Sequence, residues 1–132
     1  LNRVRVLLAD DHEDFLEIET RLLEQEFDVI EKVGNGQASI EEVARLKPDI
    51  LVLDITMPRM NGIEAARQLH AARSPVKVAF LSVHDDPDYV REALAAGALG
   101  YVVKCRMALD LLPALREASA GRSFVSPGIA LA

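Results

Sequence analysis

Residues 50–62 read Ile-Leu-Val-Leu-Asp-Ile-Thr-Met-Pro-Arg-Met-Asn-Gly. Four apolar residues run into a single carboxylate, Asp54, and a turn of Met, Pro, Asn and Gly follows at once. A short apolar run bounded by turn residues fits a strand buried on both faces, the usual state of strands in a parallel sheet. Asp54 then stands at the carboxyl end of that strand, where open α/β sheets place their ligands.

Outward from this stretch, apolar runs alternate with helical patterns. Residues 4–9 predict a first strand ending at Asp10-Asp11. A helix follows over 13–26, with Phe15, Ile18, Leu22 and Leu23 as its apolar stripe and Asp11 or His12 as its cap. Residues 28–33 alternate and predict an edge strand, broken by Gly34-Asn35-Gly36. Residues 37–46 predict a helix with Ile40, Val43 and Ala44 inward. After Asp54, a helix is expected over 62–71 with Asn61 as its cap, then a strand over 76–81 ending at Ser82. Asp86-Pro87 marks a helix start, and Gly97 stops that helix. Residues 100–103 form a fifth strand ending at Lys104. The last helix spans about 108–120, and its Pro113 is tolerated if Asp110 is the cap, because early helical N–H groups have no intrahelical partner. Residues 121–132, with Gly, Ser and Pro, look like the start of a linker or tail. Five successive β-α units predict an α/β fold, a doubly wound five-stranded parallel sheet with right-handed crossovers. No strand-to-helix turn carries Gly-x-Gly-x-x-Gly, which disfavours a dinucleotide fold.

At 132 residues the chain makes one domain. No apolar run reaches membrane-spanning length, and the N-terminus goes straight into a strand-like run, so neither a membrane span nor a signal peptide is expected. The single Cys105 cannot form an internal disulfide, which accords with a reducing cytoplasm. A net charge of −6 argues against direct nucleic-acid binding by this domain.

In a parallel sheet all the carboxyl ends point one way. Asp10, Asp11, Asp54, Ser82 and Lys104 occupy four such ends and converge on one pocket if those strands are neighbours. Each alone has a plain structural explanation, as a helix cap, a strand end or a solvated terminus; the joint placement is what points to chemistry. Two carboxylates about 4 Å apart repel by about 4 kcal/mol at an effective dielectric of about 20. One lysine cannot balance three of them. A divalent cation can, and an all-oxygen site favours Mg²⁺, or Mn²⁺ in its place. Carboxylates act as phosphoryl acceptors, and Ser82 and Lys104 are suited to phosphoryl oxygens.

With Asp10-Asp11, Asp54 followed by Met57-Pro58 and Gly62, Ser82, and Tyr101 with Lys104, the chain resembles the receiver domain of two-component response regulators over about its first 120 residues. The resemblance implies a flavodoxin-like strand order 2-1-3-4-5, a receiver domain over 1–120 and a linker or tail over 121–132. It implies that Asp54 takes a phosphoryl group from a sensor histidine kinase. Asp10, Asp11, Asp54 and the backbone carbonyl of Thr56 would hold Mg²⁺. Ser82 and Lys104 would bind the phosphoryl oxygens, and Tyr101 would be the aromatic that turns inward when Ser82 moves. Ala-Asp-Asp-His at 9–12, Ser-Val-His-Asp-Asp at 82–86 and Ala-Gly-Ala-Leu-Gly-Tyr-Val-Val-Lys at 96–104 are similar to NarL/FixJ-type regulators. Those usually carry a LuxR-type helix-turn-helix effector domain, which this chain does not include. The implied function is a signalling domain, not a turnover enzyme, that switches conformation to control transcription. Homodimerisation or docking of the effector domain would be the readout. The alternative is a stand-alone receiver acting by protein contact or phosphorelay. An aspartyl-phosphate phosphatase is disfavoured because neither Asp10 nor Asp54 begins an Asp-x-Asp, and a flavin binder because the first turn is acidic. The chain departs from the family pattern at Cys105, where many receivers have Pro and often a cis bond, and at bulky Val83.

Overall fold

Alternate residues of each apolar run bury themselves on opposite faces of one sheet. In the computed structural model, which describes residues 3–129, the elements run β1 (Arg5–Ala9), α1 (Glu13–Leu23), β2 (Asp28–Val33), α2 (Gly36–Leu46), β3 (Ile50–Leu53), α3 (Gly62–Ala71), β4 (Lys77–Ser82), α4 (Pro87–Ala95), β5 (Gly100–Val103), a 3-10 turn (Lys104–Arg106), α5 (Met107–Ser119) and β6 (Phe124–Val125). The sheet is parallel, with strand order β2-β1-β3-β4-β5-β6. Leu7, Leu51, Leu53, Phe80 and Tyr101 face a core closed by α2, α3 and α4. Val6, Leu8, Val52, Leu81 and Val102 face a second core closed by α1 and α5. Helices on both faces of a parallel sheet are the doubly wound architecture expected from the β-α repeats, and the order 2-1-3-4-5 is present. The sixth strand lies within the stretch expected to be a linker or tail; residues 130–132 of that stretch lie outside the described residues.

Three helices differ from their expected faces or bounds. The stripe of α1 that meets the sheet is Leu16, Glu19, Thr20 and Leu23, whereas Ile18 is 56% exposed. Counting apolar residues set the helix about one position out of phase, because the inward face of α1 includes a carboxylate. In α2, Val43 is buried but Ala44 is exposed. Helix α5 begins at Met107, three residues before the expected cap, and Pro113 lies in its interior. Asp110 does not cap the helix, since its carboxylate is engaged by Arg106 and Ser126. Pro113 leaves the carbonyl of Leu109 without an intrahelical donor, and Leu109 is 68% exposed, where water can serve instead.

Gly62 fixes the turn after β3. Its N–H donates to the carbonyl of Ile55 at 2.8 Å. A Cβ at this position would lie 1.9 Å from the carbonyl oxygen of Asp54. Only glycine lets α3 start this close to the strand end. Gly62→Ala is therefore expected to lower stability by about 1–3 kcal/mol or to shift the backbone at Asp54. Urea unfolding together with amide shifts of residues 53–56 checks this, and an unchanged midpoint with unchanged shifts would remove the argument.

Glu19 is 2% exposed, and no side chain among the described residues donates a hydrogen bond to it. Burial first, and the charge of Asp10 second, push its carboxyl well above the ordinary range. A carboxyl raised in the folded state favours folding below its unfolded pKa, and that contribution is lost as pH rises through the folded value. Glu19→Gln should thus be about as stable as the parent near pH 4 and more stable by about 1–3 kcal/mol near pH 8. A stability difference independent of pH would contradict the assignment.

Candidate functional site

The parallel register sets the site. Ala9 pairs with Leu53, so the next residues, Asp10 and Asp54, stand side by side where the strands end. The amide of Asp54 donates to the carbonyl of Ala9 at 2.9 Å, which holds the two ends level. Ser82 pairs with Val103, so Lys104 leaves the sheet on the next step. Asp10 is 2% exposed, Asp54 5% and Ser82 0%.

Lys104 closes the cluster. Its Nζ donates to Asp10 Oδ2 at 2.7 Å and to Asp54 Oδ2 at 3.1 Å. The ammonium also lies 4.3 Å from the centre of the Phe15 ring, a cation–π contact from α1. Burial alone would lower its pKa, but the hydrogen bond to Asp10 and the charges of Asp54 and Asp10 outweigh that and raise it. Lys104 is therefore firmly cationic. Burial raises the pKa of the Asp54 carboxyl, and the Lys104 charge opposes the rise. Asp54 Oδ1 accepts from the Ile55 amide at 2.8 Å, so both of its oxygens are oriented.

The acidic groups form a donor set that fits a small divalent cation. Ligating atoms from Asp10, Asp11, His12 and Asp54 all lie within 4.8 Å of one another. Three carboxylates against one ammonium leave negative charge in excess, and hard oxygen donors suit Mg²⁺ or Mn²⁺. His12 had no metal-ligand spacing in the sequence, yet its Nδ1 lies 3.2 Å from Asp10 Oδ1 and 3.1 Å from Asp11 Oδ1. Its amide donates to Asp10 Oδ1 at 2.9 Å. His12 is the N-cap residue of α1 but makes no side-chain cap bond; Asp10 receives its amide instead.

The remaining candidates sit on β4, on β5 and in the loop after β3. Ser82 ends β4, paired with Val103, but makes no hydrogen bond to Asp54 or Lys104; its Oγ accepts from the His84 amide at 3.1 Å. Tyr101 is fully buried, with its ring 6.2 Å from that of Phe80. Its hydroxyl donates to the carbonyl of His84 at 2.6 Å. Burial pushes the Tyr101 hydroxyl up to about 12, so it stays a donor at all ordinary pH. Tyr101 is therefore buried, and Ser82 Oγ is engaged by the amide of the same loop residue. Thr56 is exposed, and its Oγ1 lies 3.0 Å from His84 Nε2. The His84 ring stacks on Tyr89 at 4.2 Å between centres. These contacts tie the β3 and β4 ends together across the mouth of the site. No cis peptide occurs among the described residues, so the chain passes from Lys104 to Cys105 in the trans form and enters the 3-10 turn.

Sequence reasoning missed Phe15 beneath Lys104, the ring of His12 between two aspartates, and buried Glu19. Only Glu19 left a signal: it stands three residues after Leu16 and four before Leu23, on a helical face that had to be buried.

The model of the response regulator receiver domain family matches residues 6–116. The transcriptional regulatory protein DegU of Brevibacillus brevis is 37% identical over 130 residues, covering 97% of this chain and 55% of its own length. The response regulator GacA of Pseudomonas viridiflava is 34% identical, covering 96% of this chain and 60% of its own. The chain thus spans between half and two thirds of these curated relatives. Among solved structures, a LuxR-family two-component response regulator from Aurantimonas sp. SI85-9A1 superposes with a TM-score of 0.92 at 30% identity, covering 97% of this chain and 93% of that one. The signal receiver domain of NarL from Mycobacterium tuberculosis superposes with a TM-score of 0.88 at 31% identity, covering 92% and 100%. A buried aspartate pair bridged by one lysine, on this strand order and with these relatives, places the chain in the response regulator receiver domain family, among regulators of the NarL, DegU and GacA type.

Proposed function

We propose that the chain receives a phosphoryl group on Asp54 from the phosphohistidine of a sensor kinase and passes the change to a transcription-regulating output. The observation that carries this reading is the bridge from Lys104 to Asp10 and Asp54 at 2.7 and 3.1 Å. It holds one carboxylate in a fixed direction beside a cation that can follow new negative charge. An Asp54 oxygen attacks phosphorus; the O–P bond forms as the P–N bond breaks, and the imidazole nitrogen leaves with the electron pair. Asp10, Asp11 and Asp54, with the carbonyl of Thr56, are the oxygens that would hold Mg²⁺ or Mn²⁺. The ion, when bound, supplies positive charge to the phosphoryl oxygens.

Transfer adds roughly two negative charges and three strong acceptors. Lys104 is placed to meet one acceptor. Ser82, whose Oγ accepts the His84 amide, can donate its O–H to another, and His84 belongs to the loop whose carbonyl the Tyr101 hydroxyl holds. Such a change favours one of two pre-existing states, and the proposed readout runs from Asp86 through α4, β5 and α5. In this reading residues 1–120 are the phosphoacceptor unit and 121–132 lead toward an effector domain, with DNA contact left to that domain. The unit is a cytoplasmic signalling domain that turns over no substrate of its own, and a homodimer or the docked effector reads its state. No helix among the described residues is long and apolar enough to cross a membrane.

Two measurements test the reading. Incubation with acetyl phosphate and Mg²⁺, followed by intact mass, should show a gain of one phosphoryl group that is lost without Mg²⁺ and in Asp54→Asn. Persistence of the gain in Asp54→Asn would refute Asp54 as the acceptor. Lys104→Met leaves two buried carboxylates without their shared cation and should cost about 3–5 kcal/mol in metal-free urea unfolding. Mg²⁺ should restore part of that loss, and a midpoint indifferent to Mg²⁺ would count against the ion site.

A further inference from the structure

The segment after α5 docks back onto the sheet. Phe124 and Val125 pair with Gly100 and Tyr101 in parallel register. The Phe124 amide donates to the carbonyl of Leu99 at 2.9 Å, and the Ser126 amide donates to that of Tyr101 at 2.9 Å. At the next step a side chain replaces the backbone: Ser126 Oγ accepts from the Val103 amide at 3.1 Å. Pro127 then follows, with no N–H to continue the ladder.

The Ser126 hydroxyl is spoken for on its other side. It donates to Asp110 Oδ2 at 2.8 Å, and both groups are nearly inaccessible, at 2% and 5% exposure. Asp110 also accepts from Arg106 Nε at 2.7 Å and from Arg106 Nη2 at 3.3 Å. Burial alone would raise the Asp110 carboxyl, but the hydrogen bonds from Arg106 and Ser126 outweigh it and hold the group low. A buried carboxylate with one guanidinium and one hydroxyl is a costly arrangement to keep unless all three parts stay together.

Arg106 is the third residue of the turn that begins with Lys104. One three-residue turn therefore carries the ammonium of the acidic site at its first position and the guanidinium that holds Asp110 at its last. We propose that residues 124–127 are a strap docked on the β5 edge by Ser126 and Asp110, and that the Lys104–Arg106 turn makes its docking depend on the acidic site. The trigger rests on the phosphoacceptor reading above; the docked strap itself does not. With a phosphoryl group on Asp54, Lys104 gains acceptors and its end of the turn becomes more firmly anchored. The Arg106 end is ordered with it, and the strap tightens. The chain that leaves the domain is thereby fixed in direction when the site is loaded. Coupling is reciprocal, so a docked strap also favours the loaded site.

Hydrogen exchange on the whole chain in Mg²⁺, with and without beryllofluoride, tests this. Fluorine resonances of the bound adduct, recorded on the same samples, report loading. The amides of Val103, Phe124 and Ser126 should exchange about five-fold slower or more with the adduct, the lower end of usual couplings. Ser126→Ala should exchange fast at the strap in both states. Arg106→Gln, which leaves the hydroxyl-to-carboxylate bond in place, should loosen the strap in both states, less than Ser126→Ala does, and remove its dependence on loading. If the adduct forms and wild-type strap amides exchange at the same rate or faster, the coupling is refuted and the phosphoacceptor reading stands. A full slowing retained in Arg106→Gln refutes the turn as its route. If no adduct forms, the phosphoacceptor reading fails and the coupling fails with it.

Discussion

Two buried carboxylates share one ammonium, and much of the molecule is arranged to permit that. Asp10 and Asp54 are brought level by the pairing of β1 with β3, and Lys104 arrives because β5 ends one step after Ser82. Without the lysine, like charges would meet in a poorly solvated place at a cost of several kcal/mol. Without the carboxylates, Lys104 would be a cation 10% exposed with only the Phe15 ring beneath it. The first, third and fifth strands run parallel and so end on one edge, which is what lets their terminal groups meet.

The features that decided the fold were local and therefore legible. β3 and its turn, the helix over 62–71 and the strand over 100–103 show in composition because a doubly buried strand admits few polar residues. The charged site residues were legible for the same reason: an aspartate at the end of such a strand has little else to pack against. What stayed hidden depended on distance in the chain. The phase of α1 could not be read from apolar residues, because Glu19 takes an inward position. Asp110 suited a cap by residue type, but its partners, Arg106 and Ser126, are fixed only by the tertiary fold. A two-residue strand such as β6 is too short to leave a pattern, and Ser126 substitutes a hydroxyl for the backbone group a pattern search would look for.

Tyr101 and Ser82 are joined through His84, whose carbonyl holds the tyrosine and whose amide holds the serine. The same histidine reaches Thr56 with its ring and stacks on Tyr89. One loop residue thus links the carboxyl ends of β3 and β4, the buried aromatic of β5 and the surface of α4.

The two margins of the sheet are guarded by different means. β2 carries Asp28, Glu31 and Lys32, and charges along an outer strand discourage another chain from pairing there. β5 reads Gly-Tyr-Val-Val and carries none. Its guard is the protein's own outgoing chain, laid along Gly100 and Tyr101 and fastened at Val103. Whatever loosens that segment also uncovers a neutral strand ready to accept a neighbour.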